Sequence, residues 1–256
     1  MIKRLALLSL LMTPLFVLAQ RNVKDSIIGT PWISFQYGAN WTGGDLSSRY
    51  GFFNHVGFMA GYKTKRNWFI GMESMFMFGK PLGAGSEFEG IFDHLTDQQG
   101  NINDVNGDIG LVVLYSRGLF ANAIIGKVFP VLSPNENSGI FVHAGGGYLM
   151  HKLRVETQDQ VIPQLELDYR KGYDRLTIGG NFHQFVGYAY MANSGFLNFY
   201  AGFYVQEGLT RNVRTINFDR PDTPVSKDLR LDLQYGVKAG WFIPFYKRQP
   251  KEFYYN

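Results

Sequence analysis

Along most of this chain apolar and polar residues alternate one for one. In FLNFYAGFYVQEGL (196–209), Leu197, Phe199, Ala201, Phe203 and Val205 fall on one side. Asn198, Tyr200, Gly202, Tyr204 and Gln206 fall on the other. Successive side chains leave a strand on opposite faces, so this period predicts β-structure. Eight such segments follow one another: Trp32–Trp41, Phe52–Tyr62, Trp68–Gly79, Ile109–Phe129, Gly139–Val155, Leu176–Met191, Phe196–Leu209 and Leu229–Tyr246.

The connections carry a second pattern. Lys63–Asn67, Pro130–Ser138 and Ala192–Gly195 are short, whereas Thr42–Gly51, Lys80–Asp108, Glu156–Arg175 and Thr210–Asp228 are longer and polar. Long and short alternate, beginning with long. An all-β, antiparallel, eight-stranded transmembrane barrel has this rhythm, with short periplasmic turns, long extracellular loops and both termini in the periplasm. The competing architecture is a soluble eight-stranded barrel of lipocalin type, with its apolar face lining a cavity. The loop alternation, the aromatic residues at strand ends and the apolar row on every strand favour the membrane form. Three side chains interrupt those rows. Arg117 and Lys127 fit if they lie at the two membrane interfaces, and Gln184, nearer mid-strand, suggests a bulge or shifted register.

The first segment sets the compartment. Residues 1–19 combine Lys3 and Arg4, an apolar run from Leu5 to Leu18 and small Ala19, as in a cleaved secretory signal peptide. The expected organisation is therefore signal peptide 1–19, periplasmic segment 20–31, barrel 32–246 and periplasmic tail 247–256. No cysteine occurs, which excludes disulfides, thiolate metal sites and a lipid-modified N-terminal cysteine. Loss of Lys3 and Arg4 lowers the formal charge from +4 to +2, too little to indicate nucleic-acid binding. With 30 Gly, 22 Phe and 15 Tyr, the composition suits short alternating strands in lipid.

Three stretches resemble the small eight-stranded outer-membrane barrels of Bacteroidota, the OmpA/PorT-like group. Lys238-Ala239-Gly240-Trp241-Phe242-Ile243-Pro244-Phe245 follows the barrel-assembly signal at Lys238, Gly240, Ile243 and Phe245, although eleven residues before the end. The others are DYRKGYDRL (168–176) and the closing Glu252-Phe253-Tyr254-Tyr255. The resemblance implies outer-membrane residence in a Gram-negative bacterium and contact with barrel-assembly machinery. It also implies a structural or accessory role, with the type IX secretion or gliding apparatus as one host. A fold this widely shared does not fix a function.

An eight-stranded barrel is just wide enough to be filled by its own side chains, which argues against a diffusive pore. Glu73, Arg230, Asp232, Gln234 and Lys238 fall on the inner face, with His55, His143, His151 and His183. Buried charges must be paired, so Glu73–Lys238 and Arg230–Asp232 are expected to form a structural network. An enzyme acting on lipid would need Ser, His and an acid in contact; Ser34 and Ser74 are sparse candidates and no G-x-S-x-G occurs. No cofactor is expected. The run DQQGNINDVNGD offers Asp97, Asn101, Asn103, Asp104, Asn106 and Asp108 as oxygen ligands for Ca²⁺, but the same residues also make ordinary turns. Tyr169, Arg170, Tyr173, Arg175, Arg211, Arg214 and Arg220 could bind lipopolysaccharide phosphates or an envelope protein; packing between loops is the other reading. The tail KRQPKEFYYN is read as a periplasmic docking peptide or an interfacial anchor.

Overall fold

The computed structural model describes residues 26–81, 85–193 and 197–245. Residues 1–19, read above as a signal peptide, half of segment 20–31 and the tail 247–256 with its terminal aromatics lie outside the described residues. Eight antiparallel strands close into one barrel in chain order. They are β1 (Thr30–Gly44), β2 (Tyr50–Lys63), β3 (Trp68–Pro81), β4 (Val113–Phe129), β5 (Gly139–Glu156), β6 (Thr177–Tyr190), β7 (Phe199–Asn212) and β8 (Arg230–Pro244). The alternation maps directly onto the two faces. Ile33, Phe35, Tyr37 and Trp41 on β1 are exposed, while Ser34, Gln36 and Asn40 are buried in the lumen.

One expectation fails at the first connection. β1 and β2 extend far enough to leave only residues 45–49 between them, a tighter link than the nominally short 130–138 and 191–198. The polar residues Thr42, Gly43 and Gly44 continue the β1–β8 ladder, so polarity there did not end the strand. The other three connections at that end, 82–112, 157–176 and 213–229, are long.

The registers fix the shape. From Lys127 on β4 the hydrogen-bonded row passes through Val142, Val186, Phe203 and Val237. It continues through Ala39, Asn54 and Phe78 and returns to β4 at Arg117. The offset after one circuit is 127 − 117 = 10 residues, a shear of ten for eight strands. That ratio implies strands tilted by about 40° from the barrel axis. At roughly 3.3 Å per residue and this tilt, Lys127 and Arg117 are separated by about 25 Å along the axis. Between them the outward residues of β4 are Leu119, Ala121, Ala123 and Ile125. The two cations therefore bracket an apolar band about as tall as that of a membrane barrel.

Gln184 needs no bulge. Its partners Ala144 and Val205 lie in unbroken registers, and its side chain is exposed on the outer wall. By the same geometry it stands about half-way up the band. Glu207, also outward, stands about three quarters of the way toward the long-loop end. The register irregularity that does occur lies on β2 between Tyr50 and Phe53.

Inside, the barrel is packed in layers. At the short-turn end Trp32, Phe69, Phe141, Phe185, Tyr200 and Phe242 form one aromatic cluster. Trp32 stacks on Phe69 at 4.7 Å and lies 4.3 Å from Phe242, ring centre to ring centre. Ile28 is buried beneath this cluster, its amide donating to Asn137 Oδ1 at 2.8 Å. At the long-loop end Tyr50, Phe53, Phe120, Leu149 and Leu153 continue into Phe88, Ile91, Ile162, Leu165 and Tyr173 of the loops. The loops thus share a core with the strands and cover the mouth.

Candidate functional site: the polar lumen and its loop cap

Between the two apolar layers the lumen holds a charged centre. Glu73 on β3 is wholly enclosed, and Lys238 on β8 donates to its Oε2 from 2.9 Å. Gln36 Nε2 donates to the same oxygen at 3.3 Å, and Asn122 Nδ2 to Oε1 at 3.4 Å. His183 links the pair from the side. Lys238 Nζ lies 3.2 Å from its Nε2, and Glu73 Oε1 lies 2.9 Å from its Nδ1. An ammonium group can only donate, so Nε2 must accept and Nδ1 carries the proton. The ammonium also sits over the rings of Phe185 (5.3 Å) and Tyr204 (5.2 Å). Side chains from β1, β3, β4, β6, β7 and β8 thus contribute to one ion-pair shell, as burial of these charges requires.

A second centre lies nearer the loops, and here the expected pairing is replaced. Asp232 does not pair with Arg230. It accepts from His151 Nε2 at 2.8 Å, from Thr210 Oγ1 at 2.5 Å and from the Nη2 of Arg49. Arg49 belongs to the tight β1–β2 connection and turns into the lumen with almost no exposure. Arg230, at the first position of β8, faces Glu87 of the 82–112 loop at 3.6 Å. Gln234 is buried on the same inner face.

The loop residues expected to meet partners are divided. Asp174 and Arg214 make a two-pronged pair, Nε–Oδ1 2.8 Å and Nη2–Oδ2 2.5 Å. That contact holds the Arg214 guanidinium above its ordinary pKa. Arg175 donates to Asp219 at 2.6 Å, and Arg170 to the carbonyl of Leu165 at 2.5 Å. Tyr173 is buried, its hydroxyl 2.9 Å from His94 Nε2, and burial raises its pKa. Tyr173, Arg175 and Arg214 fasten loop to loop, whereas Arg170 braces its own loop. Tyr169, Arg211 and Arg220 stay exposed. Arg49, Arg175, Arg220 and Arg230 also border a cavity of about 140 Å³ at the mouth, with Glu87 on its edge.

The oxygen-rich run forms two tandem turns. Asp97 Oδ1 accepts from the amides of Gln99 (2.9 Å) and Asn101 (2.8 Å). Asp104 Oδ1 accepts from those of Asn106 (2.8 Å) and Asp108 (3.0 Å). Gly100 and Gly107 occupy the left-handed region (φ 84° and 85°) at matching places, a backbone conformation that side chains other than glycine resist. One oxygen each of Asp97 and Asp104 is committed to its own backbone, and among the described residues no three acidic or histidine side chains converge as metal ligands. The serine candidates are separated from histidine: Ser34 Oγ meets Tyr200 Oη (3.1 Å) inside, while Ser74 faces outward. His143 and His183 are both buried in the lumen.

The assembly-signal residues are split between the faces of β8. Lys238 and Gly240 point inward, Ile243 and Phe245 outward. A Cβ on Gly240 would stand 2.3 Å from the Tyr200 ring, so glycine is needed there for close approach. Sequence reading placed Glu73, Lys238 and the histidines inside through strand parity. Arg49 was missed because a loop residue has no parity to read. The inward aromatics Trp32, Phe69, Phe141 and Phe242 had the right parity but were not recognised as one layer.

No protein-family model matches the sequence, and no curated protein sequence matches it. Solved structures do match. Neisserial surface protein A shares 13% identity over 85% of this chain and 99% of its own, with a TM-score of 0.41. Ail, the attachment invasion locus protein of Yersinia pestis, solved with the heparin analogue sucrose octasulfate, shares 10% identity over 84% and 99%, TM-score 0.38. The outer membrane protein OprG of Pseudomonas aeruginosa shares 9% over 86% and 99%, TM-score 0.36. The likeness is one of barrel type and extends to no residue or ligand.

Proposed function

We propose that this chain is a non-enzymatic integral barrel of a Gram-negative outer membrane. In this reading it is a structural or accessory subunit of an envelope assembly that acts by protein–protein contacts. The observation that carries the reading is the outer wall. Every strand turns apolar side chains outward, among them Phe58, Met72 and Phe203, and the band ends at Lys127 and Arg117. In water such a surface would cost far more than any monomer tolerates; in lipid it is the stable arrangement. The long loops would face the exterior and the short turns the periplasm. The filled lumen supports a role other than solute passage. The exposed Tyr169, Arg211 and Arg220 offer outer contact points. The resemblance to the OmpA/PorT-like group makes the type IX secretion or gliding apparatus the candidate host.

Expression of the tagged full-length chain in its own type of envelope, followed by mild detergent extraction, tests both levels. Carbonate-resistant recovery in the outer-membrane fraction, with a mobility that shifts on boiling, is expected of the barrel. Stoichiometric envelope proteins should co-purify. Recovery as a soluble periplasmic protein would overturn the membrane reading. Recovery in the membrane with nothing specific bound would overturn the subunit role and leave a stand-alone barrel. The arginines around the mouth cavity favour ligand binding at the surface as the second reading.

A further inference from the structure

Near the long-loop rim one sector of the outer wall gathers several cations side by side. Arg117 on β4 stands directly opposite Lys152 on β5, and Tyr115 opposite Arg154 in the next row. Antiparallel partners share a face, so all four side chains leave the barrel on the same side. Phe78 of β3 is the other neighbour of Arg117. Lys80, two residues beyond Phe78, is exposed on that same outward face. The ammonium groups and the Arg117 guanidinium therefore leave three adjacent strands at nearly one level.

Their own partners do not neutralise them. Arg154 is paired with Glu156 at 2.8 Å, and Arg117 Nη1 donates to the carbonyl of Ser116 at 2.8 Å while stacking on Tyr115 at 4.8 Å. No ion pair involves Lys80, Arg117 or Lys152 among the described residues. Counting Lys80, Arg117, Lys152 and Arg154 against Glu156, the strip carries a net charge of +3. Directly below it, Phe52, Asn54 and Phe78 line a shallow groove that runs up to Lys80 and Arg117. At the same rim elsewhere the outward residues are Trp41, Leu209 and Leu231, with Arg211 a further cation on β7. The charge is thus gathered on one side.

We propose that the Lys80–Arg117–Lys152–Arg154 strip binds the phosphate groups of a phosphorylated, acylated glycolipid in the outer leaflet, its acyl chains lying in the groove beneath. The proposal rests on the membrane reading given above. It follows from the level of the charges. Lysine and arginine on a lipid-facing wall are tolerated at the interface and attracted there by anionic headgroups. Guanidinium and ammonium groups in adjacent rows can hold two phosphate oxygens at once. An apolar groove continuous with the cations favours a ligand that carries both phosphate and acyl chains over free phosphate.

The full-length protein in phosphatidylcholine nanodiscs, titrated with phosphorylated lipid A, gives the test, with bound lipid counted by native mass spectrometry. The triple variant Lys80→Gln/Arg117→Gln/Lys152→Gln should bind about tenfold more weakly or worse. Lys65→Gln/Arg66→Gln at the opposite rim should bind like the parent. Dephosphorylated lipid A should lose about as much affinity as the triple variant, and inorganic phosphate at the same concentration should not displace the lipid. Parent-like binding by the triple variant, indifference to the phosphates, or displacement by inorganic phosphate would each overturn the proposal. Should the triple variant not fold, as judged by its boiling-dependent mobility, Lys152→Gln alone must still weaken binding. A parent chain that does not enter nanodiscs overturns the membrane reading itself, a result separate from the others.

Discussion

Glu73 and Lys238 meet at 2.9 Å inside the barrel, from strands separated around the wall by β1 and β2. Removing one partner leaves an uncompensated buried charge, which costs about 3–5 kcal/mol. Glu73→Gln and Lys238→Met are each expected to lower the urea midpoint of the folded barrel strongly. The double variant should recover most of the loss. Two single variants as stable as the parent would show that the pair is solvated.

Gly240 lies under the Tyr200 ring, whose hydroxyl donates to Gln36 Oε1 at 2.6 Å. Gly240→Ala should force the ring aside at a cost of about 1–3 kcal/mol. Tyr200→Leu in the same chain should relieve part of it. Unfolding in urea measures both. If Gly240→Ala slows assembly without changing stability, the residue is read by the assembly machinery and not by Tyr200.

Gln184 and Glu207 test depth. At about the middle of the band, Gln184→Lys is expected to cost about 2–4 kcal/mol, whereas Glu207→Lys, nearer the rim, should cost at most about 1 kcal/mol. Gln184→Leu should stabilise by about 1 kcal/mol. Equal costs for the two lysines, read from folding equilibria in vesicles, would contradict the calculated heights.

The Asp174–Arg214 pair joins the 157–176 and 213–229 loops. Asp174→Ala should loosen the cap by about 1–3 kcal/mol locally. Limited proteolysis should then cut residues 157–176 and 213–229 faster while the strands stay protected. Unchanged cleavage would mean that the shared apolar core alone holds the loops.

The amide of Asn101 holds the Asp97 carboxylate below its ordinary pKa. A depressed acid contributes above its unfolded pKa, and the contribution is lost as pH falls through the folded one. The amide resonances of Gln99 and Asn101 should therefore shift together on acidification below the usual aspartate range, and Asp97→Ala should abolish the transition. Calcium should leave the melting temperature unchanged. A calcium-dependent rise would restore the cation site.

Strand existence and facing were legible because a side-chain period of two is a local property. Glu73, Lys238 and His183 went inside on parity alone. What parity could not supply was the choice of partner. Asp232 and Arg230 share a strand face, yet the carboxylate is met by Arg49 from a turn, because closure of the barrel brings the β1–β2 connection over β8. Gln184 misled in the opposite direction. A polar residue in an apolar row looked like a register fault, but the ladder around it is continuous, and the wall tolerates one neutral amide. The aspartates of the second loop could not be separated into ligands or turn-formers by spacing, since both uses place oxygens at alternate positions; only the direction of the backbone amides decides.

The shear of ten gives the central ion pair a further role during closure. A barrel closed with β8 displaced by two residues keeps every inward side chain inward, so hydrophobic burial alone would scarcely reject it. That displacement would carry the ammonium of Lys238 about 7 Å along the strand from the Glu73 carboxylate. Two isolated charges would then sit in a water-poor lumen. The ion pair thereby discriminates among ladders of the same parity, and acts as a proofreading contact for the seam at which the last strand meets the first.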